Sequence, residues 1–140
     1  MPSFVLDCSV TLPWFFADEA DGYADGILHL LASEEATAPA VWPLEVVNGL
    51  VGAERRGRLT SDDVSSALAM LGELEIAVEQ ETPALTAVLA VAREYRLTAY
   101  DAAYLELAMR RNLPLATNDR DLAAAAKLAG VGTVALENPD

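Results

Sequence analysis

Four acidic residues stand where an α/β chain turns from strand to helix. Asp7 closes the apolar run Ser3 to Asp7 (SFVLD), and Glu45 lies just behind Pro43 in WPLEVVNGL. Asp101 opens the helical pattern of TAYDAAYLELA after Thr98, and Asp119 follows the apolar run Leu113 to Ala116. In a parallel sheet these positions share one edge, the edge where ligands bind. Four carboxylates crowded there would repel one another, and some would protonate unless a cation lay between them. The expected chemistry is therefore metal binding. His29 and Cys8 are single residues of their types, too few for a zinc cluster of the usual nitrogen and sulfur ligands. The all-oxygen donor set suits Mg²⁺ or Mn²⁺. Such an ion orients and acidifies a water and neutralises phosphate charge, which suits phosphodiester hydrolysis.

Each acid also has an ordinary role open to it. Thr98 and Asp101 have the spacing of a capping box, Glu45 is a first-turn acid behind a proline, and Asp119 can cap a helix. Asp7 differs, because an acid gains nothing from closing an apolar strand. Ser9 lies two residues after Asp7, and Thr117 and Asn118 directly precede Asp119, so small donors flank two of the acids. They can orient ligands or cap helices. Asn48 falls one helical turn after Glu45, within reach of a hydrogen bond to it or exposed. Ala102 and Ala103 leave room beside Asp101 for a substrate backbone, or favour the helix.

The elements that must position these residues alternate strand with helix. After the first strand, the aromatic segment Leu12 to Phe16 leads into an acidic start at Asp18 and a helix reaching about Leu31. A second strand is expected at Thr37 to Val41, at a sheet edge because of Pro39. Pro43 begins a helix that runs to about Arg56 and closes at Gly57. Thr60 to Asp63 cap a helix from Val64 to Leu74. Alternation in Glu75 to Glu79 predicts a third strand, and Thr82 to Tyr95 a helix with Pro83 in its first turn. Helices at Tyr100 to Arg111 and Asp121 to Ala129 flank the strand at Leu113 to Ala116, and Thr133 to Leu136 is a final strand before a polar tail, Glu137 to Asp140. The expected fold is α/β, a mostly parallel central sheet with helices on both faces, in one domain spanning residues 1 to 140.

Composition narrows the partners. The chain is 53% hydrophobic and 22% charged, which is globular rather than disordered. No apolar run approaches the roughly 18 residues of a membrane span, and the N-terminus lacks a signal-peptide pattern, so a soluble, cytoplasmic protein is expected. A single cysteine fits a reducing compartment. Nine Lys and Arg stand against 22 Asp and Glu, a net charge of −13. Nucleic acid is then a substrate only with help from local basic patches and site cations, while a basic partner protein is favoured. Arg55, Arg56, Arg58, Arg110 and Arg111 collect near helix C-termini, where they offset the dipole or contact phosphate.

The ordered set VLDCSV, WPLEVVNGL, TAYDAAYLELA and LATNDRDL resembles the PIN-domain ribonucleases, specifically the VapC-type toxins of type II toxin–antitoxin modules. The resemblance implies a three-layer α/β/α sandwich, a homodimer, and Mg²⁺- or Mn²⁺-dependent cleavage of RNA. It further implies inhibition by a cognate VapB-like antitoxin. By this likeness Asp7, Glu45 and Asp101 are the core acids and Asp119 the fourth, with Asp121 competing for that last role. A phosphoacceptor signalling domain is a rival, but Cys8 follows Asp7 where that fold needs a second acid, and Lys127 sits within a helix. A non-catalytic interaction protein of the same fold is the other.

Overall fold

The computed structural model describes residues 1–19 and 21–136. Strand β1 (Pro2–Leu6) leads into a short helix α1 (Cys8–Thr11) and a 3₁₀ turn (Leu12–Phe15), followed by α2 (Gly22–Leu30), β2 (Glu35–Ala38) and α3 (Trp42–Arg55). Then come α4 (Ser61–Glu73), β3 (Ile76–Val78), α5 (Leu85–Tyr95), α6 (Ala99–Arg111), β4 (Leu115–Ala116) and α7 (Arg120–Leu128). The four strands pair in parallel in the order β3-β2-β1-β4.

Burial along the strands explains the layering. Phe4, Val5 and Leu6 are successive residues of β1 and all are at most 1% exposed. Successive side chains point to opposite faces, so both faces of β1 are covered, as a three-layer α/β/α sandwich requires. Ala36, Thr37 and Ala38 of β2 are buried in the same way. In β3, by contrast, Ala77 is exposed between two half-buried neighbours, which marks an outer strand.

Four expectations need correction. Strand β2 is interior, not at an edge: pairing ends at Ala38, whose carbonyl accepts from Glu79 N–H, so Pro39 lies beyond the ladder and its missing N–H is never needed. The expected final strand contracts to one bridge, Leu115 with Thr133, supported by Leu115 N–H to the Gly132 carbonyl and Val134 N–H to that of Leu115. Helix α5 begins at Leu85, not Thr82, so Pro83 precedes it. The polar tail from Glu137 lies outside the described residues. Helix α2 begins at Gly22 under an Asp21 cap rather than at Asp18, whereas Gly57 closes α3 in the left-handed region at φ 76° as expected, and Thr60 with Asp63 forms a complete capping box on α4.

The strand order decides where a site can be. From β1 the chain moves outward through β2 to β3, then returns to place β4 on the other side of β1. The crevice beyond the carboxyl ends of β1 and β4 is the topological switch point of the sheet. Asp7 and Asp119 follow those two strands.

Candidate active site

Asp7 is the residue next after β1, and it is only 4% exposed. Its carboxylate makes no capping hydrogen bond to α1. Instead Oδ2 accepts from Ser9 Oγ at 2.6 Å and from Thr117 Oγ1 at 2.7 Å. Burial raises the pKa of Asp7, the two hydroxyl bonds oppose that rise, and the charge of Asp119 adds to it. Thr117 also accepts from Asp119 N–H at 3.0 Å, so one hydroxyl joins the ends of β1 and β4. Asn118 extends the tie: its backbone N–H donates to Ser9 Oγ, and its side-chain amide donates to Ser9 O and, at 2.7 Å, to Asp21 Oδ2. Asp21 uses its other oxygen to cap α2 through Ala24 N–H.

Glu45 enters from the first turn of α3 and is half-buried. Its Oε1 accepts from the Tyr104 hydroxyl at 2.6 Å, while Asn48, expected as a possible partner, is exposed and lines the surface beside it. Burial and Asp7 raise the Glu45 pKa, and the Tyr104 bond lowers it. Burial also raises the Tyr104 pKa, so its hydroxyl remains a proton donor across the physiological range.

Asp101 resolves its own ambiguity. Thr98 Oγ1 accepts from Asp101 N–H, but only this half of a capping box forms, whereas at Thr60 the Asp63 carboxylate also returns a bond to the cap N–H. Asp101 is thus anchored by its backbone, with its carboxylate left to the site. That carboxyl is pushed up to about 6, first by burial and then by the charges of Asp119, Asp7, Glu45 and Asp121, in that order. Asp119 caps α7 through Oδ1 to Leu122 N–H, which leaves its second oxygen outside the cap. Asp121 is exposed and acts on Asp101 last of the four.

Hydrogen bonds join the sequence candidates Asp7, Ser9, Thr117, Asn118 and Asp119, and charge coupling links Asp7, Glu45 and Asp119 to Asp101. Tyr104 and Asp21 escaped the sequence reading. Tyr104 lies one turn beyond Asp101, a spacing that hints at a shared face; Asp21 gave no signal beyond its cap position. Two of the chain's cations are engaged with other acids, whereas Arg120 follows Asp119 directly and lines a hollow with Thr117, Asn118 and Asp119. Arg58 lies 4.5 Å over the Phe16 ring and pairs with Asp18 and Glu19, and Arg110 pairs with Glu106 and Glu79. Cys8 is buried beside Asp7, and its thiol is pushed up to about 12 by burial and by Glu45 and Asp7, which leaves it unreactive.

Among the described residues, no three acidic, histidine or cysteine side chains converge tightly enough to form a closed metal cage. An all-oxygen set of this looser kind fits a hard divalent ion that keeps several waters and takes only one or two carboxylates directly. The charge borne by Asp101 favours such a cation over none.

A parallel α/β/α sandwich with acids from four chain segments at its switch point defines a class of domains with a cation-seeking edge. The PIN domain family model matches residues 4–128, and the chain belongs to the PIN-domain family. PIN domains are generally nucleases and typically use a divalent metal. In structure the chain is similar to PAE2754 from Pyrobaculum aerophilum, with a TM-score of 0.73 and 26% identity, covering 95% of this chain and 88% of that one. It also shares its fold with a chain of a toxin–antitoxin complex from Klebsiella pneumoniae, with a TM-score of 0.61 and 20% identity, covering 86% of this chain and 91% of that one. No curated protein matches its sequence significantly. No helix among the described residues is long and apolar enough to cross a membrane.

Proposed function

We propose that this protein is a metal-dependent endoribonuclease that acts as the toxin of a toxin–antitoxin pair. One observation carries the enzymatic part: Asp101, from a separate helix, lies within reach of the charges of Asp119, Asp7 and Glu45, which add to burial in pushing its carboxyl up to about 6. Acids that crowd at such cost to their own ionisation suit a site built for a cation. Asp7, Asp101 and Asp119 would hold Mg²⁺ or Mn²⁺, one or two of them directly and the rest through its waters, with Glu45 holding the ion or positioning a water. The ion supplies Lewis acidity, acidifying a water and offsetting phosphate charge.

The chain's own residues do the rest. Ser9 and Thr117 fix the Asp7 carboxylate through Oδ2, so its orientation is set before any ligand arrives. Tyr104 holds Glu45 by Oε1, leaving Oε2 to orient a water for in-line attack on a phosphodiester. Asp119 remains available through the oxygen its cap does not use.

The toxin role rests on the likeness of the four motifs to VapC-type toxins, and the Klebsiella chain of the same fold comes from a toxin–antitoxin complex. A cognate antitoxin with basic side chains would meet complementary charge on a chain of net charge −13. A homodimer belongs to the same proposal, with Leu85 and Leu89 on α5 offering exposed apolar surface.

The test is inducible expression beside RNA cleavage assays in vitro. Asp7→Asn and Asp101→Asn are expected to lose growth arrest and to lower kcat at least about a hundredfold, with unchanged circular dichroism. Full activity in either variant, or in the presence of EDTA, overturns the proposal. Absence of Mg²⁺ or Mn²⁺ binding by calorimetry would favour a non-catalytic interaction protein of this fold.

A further inference from the structure

Beside the acids, and sharing Glu45 with them, lies a surface hollow lined by Val41, Leu44, Glu45, Asn48 and Tyr100. None of the five carries a positive charge. Leu44 and Tyr100 are 72% and 61% exposed, an apolar side chain and an aromatic ring left in water next to a polar site. Tyr100 immediately precedes Asp101, and Leu44 immediately precedes Glu45, so the apolar wall is covalently tied to two of the site acids.

From this juxtaposition we infer that the hollow is a nucleobase subsite, in which Tyr100 stacks on an unpaired base of the substrate strand and Asn48 bonds to its edge. The inference rests on the ribonuclease proposal and adds to it one base contact made by named residues outside the acids. The lining chemistry selects the occupant. A phosphate would face Glu45 with no cation to receive it, whereas an uncharged base presents a π-face to Tyr100 and donors and acceptors to the Asn48 amide. The whole chain sharpens the need. With 22 acids against nine Lys and Arg, and no cation lining this hollow, phosphate neutralisation is a poor source of affinity here. Stacking supplies affinity without positive charge, and it is accessible only to bases outside a duplex.

Short single-stranded RNA oligonucleotides of mixed sequence, carrying 2-aminopurine, provide the probe, bound to the Asp7→Asn protein so that no cleavage intervenes. Adding Tyr100→Ala is expected to weaken binding about tenfold or more and to abolish the fluorescence change, while Tyr100→Phe, which keeps the ring, binds as the parent does. An oligonucleotide of the same length made abasic is expected to bind as weakly as the Ala variant, and affinity should depend only shallowly on salt. Equal binding by the Ala variant, or by the abasic strand, overturns the inference. So does a change from dimer to monomer on Tyr100→Ala with RNA binding intact, which would make the hollow a contact between copies. The two proposals fail separately. If otherwise wild-type protein cleaves RNA and Tyr100→Ala matches it in KM, only the subsite falls; if wild-type protein cleaves no RNA, the nuclease reading falls.

Discussion

The fourth acid shows how one residue's chemistry separates from its neighbour's. Asp119 and Asp121 are both early in α7 and both negative, but only Asp119 is half-buried, and its charge weighs on Asp101 more than any other. Asparagine caps a helix about as well as aspartate, so Asp119→Asn removes charge while sparing the cap. Asp119→Asn is therefore expected to lower RNA cleavage at least about tenfold with no more than a few tenths of a kcal/mol lost in stability. Asp121→Asn should leave cleavage within about twofold of wild type, since its charge is exposed to solvent and screened. Cleavage rates beside denaturant melts check both, and the reverse ranking would reassign the site. Asp119 and Asp121 were indistinguishable in the sequence, because spacing gives helix position but not burial.

At the scale of elements, α6 is held at both ends by polar contacts of different legibility. Thr98 at its start was evident from spacing alone, being a local contact across three residues. Near its other end Arg110 donates to Glu106, one turn back, and to Glu79 just after β3. Glu106 is 7% exposed, and nothing in the sequence marked it as a buried acid. Arg110→Ala is expected to destabilise the fold by about 1–3 kcal/mol, because Glu106 is left buried without its partner, even though Arg110 itself is partly exposed. Arg110→Ala with Glu106→Leu should recover most of the loss in urea unfolding; no loss in the single variant would show the pair to be idle. The correction of β2 from edge to interior belongs at this scale too. Pro39 signalled the end of a strand correctly, but strand order is a property of crossovers between distant segments, which one proline does not report.

For the molecule as a whole, the crowded acids make stability a function of pH and metal together. The Asp101 pKa rises on folding from 3.8 to about 6, so the folded protein binds the proton more tightly than the unfolded chain. A raised carboxyl stabilises the fold in its protonated form, and that contribution is lost as pH climbs from about 4 through about 6. Raised pKa values at Asp7 and Glu45 act in the same direction, as does self-repulsion at a net charge of −13. Metal-free protein is thus expected to melt at a lower temperature at pH 7.5 than at pH 5.5. Millimolar Mg²⁺ or Mn²⁺ should restore the loss at pH 7.5 and do little at pH 5.5, where Asp101 is largely protonated. Differential scanning calorimetry at the two pH values checks this, and a melting temperature that rises with pH without metal would contradict it.

Sequence alone determined what local physics controls. Alternating elements, the caps at Thr60 and Thr98, the turn at Gly57, and the four acids at strand-to-helix junctions are all short-range facts of periodicity and spacing. Together with the motif order they sufficed for the fold class. Tertiary structure decided what depends on approach between remote segments. It set β1 between β2 and β4, brought Thr117 across to Asp7 and Tyr104 across to Glu45, and left Tyr100 in water beside them. The sequence could list the acids; the burial and mutual charge that push Asp101 up to about 6 exist only once folding puts them together.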